Sequence, residues 1–145
     1  MDIRLIKNQD ITPIYKLGKK DFGKNDEYSW DWSKKEIKKF LGKFGGLGLI
    51  CLDKKKIIAF VLIGKTYSSQ KPKTSWLRYI FVAKEHRREK IASKLLDLAI
   101  KKLKKMGKID LEADIYTENN TSLKFFKFHK FKVRESYFIL LRKIK

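Results

Sequence analysis

Apolar positions along the chain change period repeatedly, and each change marks an element. "DIRLIK" alternates Ile3 and Leu5 with polar neighbours, the period of a half-buried strand. "DITPIYKLGKKDF" then sets Ile11, Ile14, Tyr15, Leu17 and Phe22 at near-helical spacing, with Asp10 as the expected N-cap and Pro13 in the first turn. Tyr28, Trp30 and Trp32 follow in the short polar stretch "DEYSWDWS". Ser33 and Glu36 have the spacing of a capping box ahead of the helix "KKEIKKFL". "GLGLICLD", the basic turn "KKK" and "IIAFVLIG" predict a hairpin whose second strand is apolar on both faces.

Beyond the loop "SSQKPK", "TSWLRYIFVA" predicts a third long strand. A helix is expected from near Glu89 through "IASKLLDLAIKKLKKMG", with Ile91, Leu95, Leu98, Ala99, Leu103 and Met106 on one face. Lys94, Lys101 and Lys105 occupy the other face, and Gly107 ends the helix. The strand "IDLEADIY", the helix "NNTSLKFFKFHK" and the hairpin "FKVRESYFILLRK" complete an α/β order with a mixed sheet. One domain over residues 1–145 is expected, without repeat or linker.

Composition narrows the partners. A chain of 145 residues can bury a core without disulfides or structural metal. Lys and Arg total 36 against 16 Asp and Glu, a formal charge of +20. That imbalance points either to anionic company (a phosphorylated cofactor, nucleic acid or a membrane surface) or to a lysine-rich surface that simply stays solvated. Cys51 has no partner cysteine, which removes a disulfide framework and a thiolate metal site and fits a reduced, cytoplasmic setting. "MDIRLIKNQD" holds no signal-peptide core and "IIAFVLI" is too short to span a bilayer, so a soluble protein is expected. His86 and His129 lack metal-ligand spacing with other donors, and no metal is expected.

The chemistry should sit where a helix starts just after a central strand. In "YIFVAKEHRREKIASKLL" a strand ends near Val82, and a loop carrying Arg87, Arg88 and Lys90 leads into a helix. First-turn amides have no partner within a helix, and the helix dipole adds roughly half a positive charge there. A pyrophosphate held by those amides and flanked by Arg and Lys is the ligand this arrangement suits.

This segment resembles the acyl-CoA-binding motif of the GNAT superfamily of N-acetyltransferases, in which Arg or Gln is followed after two residues by Gly, one residue, then Gly or Ala. Arg87 and Ala92 match, and Lys90 stands where the family usually has Gly. Downstream, "ENNTSLKFFKFHKF" is similar to the family's second signature through Asn119, Ser122, Phe125 and Phe131. There Phe126 takes the usual Tyr position and Lys130 the usual Gly position. The order of elements resembles the family over essentially the whole chain, and the branch most similar is that of protein N-terminal and ribosomal-protein alanine acetyltransferases.

The resemblance implies a GNAT fold with a mixed sheet of about six to seven strands, a splayed parallel pair and about four helices. It implies acetyl-CoA as cofactor, its pantetheine arm in the notch between "YIFVA" and "IDLEADIY". By that likeness the backbone of Phe81 and Val82 binds the pantetheine, and Arg87, Arg88, Glu89, Lys90, Ile91 and Ala92 hold the pyrophosphate. Asn119, Ser122 and Phe126 complete the cofactor side. The amine attacks the acetyl group directly, so Cys51 is not needed as a nucleophile.

Lys90 is expected to be an ordinary first-turn residue adding a phosphate contact; a left-handed conformation there would cost about 1–2 kcal/mol. Phe126 replaces the family's usual general acid, which leaves Tyr137, Tyr116 or water for that task. Asp114 is the candidate base by its likeness to a carboxylate at the notch edge, with Glu112 on the same strand face and Glu85 in the loop as further candidates. A strand-end carboxylate satisfied by amides or Lys is the other reading of Asp114. Tyr28, Trp30, Trp32 and Tyr137 could wall an acceptor channel with Asp26, Glu27 and Asp31 attracting a cationic amine, or Trp30 and Trp32 could staple their loop to the core.

Deprotonating a Lys amine at pH 7 costs about 4.6 kcal/mol against about 1.4 for an α-amine, so an α-amine suits a site with a replaced acid. Expected acceptors are a protein N-terminus, a Lys side chain or a small-molecule amine. A catalytically weak CoA-binding module, or a basic module associated with nucleic acid or ribosomes, is the alternative class. No membrane partner is expected, and the state is a monomer or homodimer.

Overall fold

The computed structural model describes residues 1–23, 31–42, 45–66 and 71–144. Tyr28 and Trp30 of the expected acceptor wall, with Asp26 and Glu27, lie outside the described residues. The strand-forming runs build one sheet of β1 (Asp2–Leu5), β2 (Leu47–Asp53), β3 (Lys56–Lys65), β4 (Thr74–Val82) and β5 (Asp110–Ala113), in chain order. Neighbours from β1 to β4 pair antiparallel, while β4 and β5 run parallel. Helices are α1 (Ile11–Phe22), α2 (Lys34–Lys38), α3 (Ile91–Lys105) and α4 (Asn120–Phe128). The chain divides into two compact units, residues 1–114 and 115–145.

In the first unit β3 is buried on both faces, as its unbroken apolar run requires. On one face Ile50, Phe60, Leu62 and Tyr79 pack with Ile11 and Ile14 of α1 and Ile37 and Phe40 beside α2. Leu49, Cys51 and Val61 alternate with those positions and so point to the other face. Helix α3 packs against β2, β3 and β4 and buries Ile91, Leu95, Leu96, Ala99 and Leu103. Burial pushes the Cys51 thiol up, which keeps it protonated and unreactive.

Trp32 belongs to the α1 side of the core. Its Nε1 donates to the Tyr15 carbonyl at 2.9 Å, and its ring stacks on Phe60 with centroids 5.7 Å apart. Gly18 makes the approach possible, because a Cβ there would sit 2.5 Å from the indole. The helix accepts a glycine, at about 1 kcal/mol against Ala, to admit the ring. Trp32 is thus placed as the staple rather than as an open channel wall.

Several expectations are corrected. Asp10 does not cap α1 through its side chain. Its carboxylate is buried and accepts from both Arg4 Nη atoms, at 2.7 and 3.0 Å, and from the Lys7 amide at 2.7 Å. Helix α3 begins at Ile91 rather than near Glu89, and Met106 is its exposed C-cap rather than a core residue. Strand β5 stops at Ala113, before the charged Asp114. In the second unit, residues 131–144 form no ladder, so among the described residues the sheet has five strands rather than six to seven. Between Val133 and Tyr137 the chain offers Arg, Glu and Ser, without the Gly or Asn that would pin a tight hairpin.

No helix among the described residues is long and apolar enough to cross a membrane. Burial pushes the Asp10 carboxyl up, but the Arg4 hydrogen bond, the Lys7 amide and both nearby cations outweigh it, and the group ends below its ordinary value. Its contribution is therefore present above the ordinary Asp range and lost as pH falls through the depressed folded value. Asp10→Asn is expected to lower unfolding free energy by about 2 kcal/mol at pH 7, with a smaller loss at pH 3, in paired urea titrations.

Candidate active site

Register between β4 and β5 runs from Thr74 opposite Asp110 to Leu77 opposite Ala113 and then ends. Strand β4 continues to Val82, and over residues 79–82 it pairs with β3 alone, Tyr79 opposite Leu62 through Val82 opposite Ala59, while Arg78 falls at a bulge where the register shifts. The β5-facing backbone edge of that stretch is left without a ladder partner, although backbone groups in a sheet interior require one. Phe81 and Val82, the expected pantetheine contacts, lie on this stretch and are half-buried. Phe81 stacks on Phe60 at 5.5 Å between centroids. Arg87 Nε donates to the Val82 carbonyl at 3.0 Å, which fixes the end of β4 to the loop that follows.

That loop passes through a short 3-10 turn, Lys84–His86, and then bends twice into the left-handed region, at Arg88 (φ 65°) and Lys90 (φ 60°). Lys90 is the N-cap of α3 and supplies no side-chain cap, and a helix offers its first amides no partner of its own. Alternation of ordinary and left-handed residues turns successive amides toward one side, an anion-binding nest. The expectation that Lys90 is an ordinary first-turn residue is therefore overturned: the backbone needs the conformation that glycine supplies most cheaply. Arg87, Arg88 and Lys90 are exposed around the nest, Ile91 is buried beneath it, and Ala92 is half-buried. The Glu89 carboxylate lies 3.6 Å from His86 Nδ1, and Asp53 lies 4.0 Å from Nε2, so Glu89 is turned toward the imidazole.

Carboxylates gather where the two strands part. Asp114 follows the last residue of β5, and Glu112 lies two residues before it, 3.5 Å from Lys71 Nζ. Burial, then the Glu112 charge, raises the Asp114 carboxyl above its ordinary value, while Arg78 opposes the rise. Sequence reasoning missed Arg78 and read Glu36 only as a capping residue. Ser33 Oγ does accept from the Glu36 amide at 3.0 Å. The Glu36 side chain, 3% exposed, instead pairs with Lys39 Nζ at 2.9 Å and Arg78 Nη2 at 3.3 Å. The available signal was a lone cation inside the apolar strand "TSWLRYIFV". Glu85 remains exposed in the loop. A recess of about 710 Å³ bounded by Arg4, Lys16, Lys55 and Lys56 lies elsewhere and contains none of these groups.

The remaining expected residues are in the second unit. Asn119 caps α4, its Oδ1 accepting from the Ser122 amide at 3.1 Å, and Phe126 is buried edge-on between Phe125 and Phe131. Lys130, at the family's second glycine position, has φ 69° at the end of that helix. Tyr137 is 68% and Tyr116 47% exposed.

The family profile of acetyltransferases (GNAT) matches residues 11–131. No curated relative matches in sequence. Among solved structures, an aminoglycoside acetyltransferase, AAC(6')-Iy, in complex with a CoA bisubstrate analogue superposes with a TM-score of 0.79 at 19% identity, over 98% of this chain and 97% of that one. An aminoglycoside 6'-N-acetyltransferase from Acinetobacter baumannii gives 0.75 at 20% identity, over 99% of each chain. A ribosomal-protein-alanine N-acetyltransferase from Brucella melitensis gives 0.74 at 15%, over 98% and 100%. At these identities the likeness establishes the fold.

Replacing a left-handed Lys by Gly removes the Cβ clash with the carbonyl that follows. Lys90→Gly is expected to stabilise the fold by about 1 kcal/mol, seen as a raised urea midpoint with unchanged slope.

Proposed function

Because the chain belongs to the acetyltransferase (GNAT) family and is an acetyl-CoA-dependent acyltransferase, we propose that it acetylates a primary amine directly, with Asp114 receiving the amine's proton. The observation that carries this reading is the notch. A mid-sheet strand with one unpaired edge ends against a cation-rimmed nest of amides, and Asp114, its carboxyl raised by burial, stands at its mouth. An extended amide-bearing arm suits the first feature and a pyrophosphate the second, so the residues present fit acetyl-CoA.

Acetyl-CoA brings the activated acetyl thioester. The chain's own part is binding, orientation and proton handling. In this proposal the backbone of Phe81 and Val82 aligns the arm, and the amides of residues 90–92 with Arg87, Arg88 and Lys90 hold the phosphates. By the family likeness, Asn119, Ser122 and Phe126 of α4 are further candidates for cofactor contact. Asp114, with Glu112 beside it, attracts the cationic acceptor and then removes its proton; a carboxyl raised toward neutrality is a better base than an ordinary one. Phe126 cannot donate a proton, and Tyr137, Tyr116 or water serves instead.

The acceptor is proposed to be an amine of modest basicity, an α-amine or a small-molecule amine, rather than a Lys side chain. Two of the structural neighbours described above support widening the class beyond proteins: both are aminoglycoside acetyltransferases. Calorimetry with acetyl-CoA beside a thiol-release assay over aminoglycosides, N-terminal peptides and lysine peptides tests this. Binding with turnover on the first two sets supports it. Turnover only on lysine side chains overturns the acceptor assignment, and absent CoA binding overturns the site.

Asp114→Asn is expected to lower kcat/KM about 100 to 10,000-fold without changing acetyl-CoA affinity. With the carboxyl raised, the acid limb of wild-type kcat/KM should lie above the ordinary Asp range, because the base must be deprotonated to act.

A further inference from the structure

Arg78 is the one charged residue of β4. Its guanidinium lies 4.1 Å from the centroid of the Trp76 ring, two residues before it on the same strand face, and its Nη2 is 3.3 Å from Glu36 Oε1 on α2. The side chain is 17% exposed and Glu36 3%. A guanidinium stacked on one side and ion-paired at its end has little rotational freedom, which sets it apart from a flexible surface cation.

Its position along the sheet gives that rigidity a use. Leu77 and Ala113 are the last paired residues, so the next residues, Arg78 and Asp114, stand at the level where the strands part. The charged groups that act on Asp114 are Glu112 and Arg78, each with partners of its own. Glu112 lies on β5 and is paired with Lys71 from the chain before β4. Arg78 lies on β4, and Glu36 and Lys39 belong to α2 and its C-cap. Lys71 pairs with Glu112 and Lys39 with one oxygen of Glu36; Arg78 pairs with the other Glu36 oxygen, and its charge also acts on Asp114, the next residue beyond the last paired position of β5.

We propose that Arg78 is a positioning residue: clamped by Glu36 and the Trp76 ring, it keeps the Asp114 carboxylate charged and in place at the parting of β4 and β5. The inference rests on the acetyl-transfer reading above and adds what controls its base. Glu36 tunes the clamp by drawing part of the guanidinium's charge away from Asp114.

Carboxyl NMR titration of Asp114 beside the pH dependence of kcat/KM, in Arg78→Met, Arg78→Lys and Glu36→Gln, tests this. Removing the cation should move the Asp114 titration and the acid limb upward. Removing the competing anion should move both downward, and Arg78→Lys should fall between wild type and Arg78→Met. Looser packing would hydrate Asp114 and move it downward in every variant, so a common downward shift overturns the proposal, as does no shift. Glu36 also pairs with Lys39 at 2.9 Å, so replacing Arg78 does not by itself strip it of a cationic partner, and Glu36→Gln with Arg78→Lys reads the same quantity if Arg78→Met does not fold. If Asp114 moves as expected but the acid limb does not follow, the positioning role stands and the assignment of Asp114 as base falls.

Discussion

Hydrogen bonding between β4 and β5 stops at Leu77 and Ala113 while β4 continues to Val82. A strand inside a sheet cannot leave amides and carbonyls unpaired without cost, and a helix cannot close its own first turn. Here both deficits fall at the same end of β4, joined by a loop that Arg87 ties to the Val82 carbonyl. Both are backbone features, so the form of this end of the sheet does not depend on the side chains at Lys90, Phe126 and Lys130, where the chain departs from the family's motifs.

The first unit is held around that notch by two buried carboxylates with cationic partners on other elements. Asp10 joins the start of α1 to β1 through Arg4, and Glu36 joins α2 to β4 through Arg78. Pairs of this kind contribute little net stability compared with apolar packing, but losing one partner is expensive. Each ties a helix to one point of the sheet, so a shifted seating would leave a buried carboxylate without its cation. The second pair stands where β4 and β5 part, so the contact that joins α2 to β4 also holds the cation whose charge acts on Asp114.

Most elements were legible because their period was clean. The all-apolar β3, the amphipathic α3 and the Ser33 cap behave as local patterning dictates. Failures arose where tertiary partners overrode local preference. Asp10 has the composition of a cap but is drawn to Arg4, and Glu36 has the spacing of a capping box but is drawn to Arg78. Lys90 looked like a helix former, and only its position in the motif hinted that backbone conformation mattered more than side-chain type. Among the described non-glycine residues, every left-handed position, Lys54, Lys55, Arg88, Lys90 and Lys130, carries a basic side chain. The loop aromatics divided by partner rather than by type, since Trp32 found a glycine notch in α1 that its own neighbourhood does not announce.

An unpaired stretch of apolar β-strand is also a template for unwanted association, and proteins guard such edges with charge. The exposed half-edge of β4 carries Ile80 and Phe81 and is bracketed by Arg78 where it opens and by Arg87 on the Val82 carbonyl where it closes. Both are cations that another copy's strand would have to desolvate to pair there. The cations at the two ends of the notch thus also guard it against pairing with another strand.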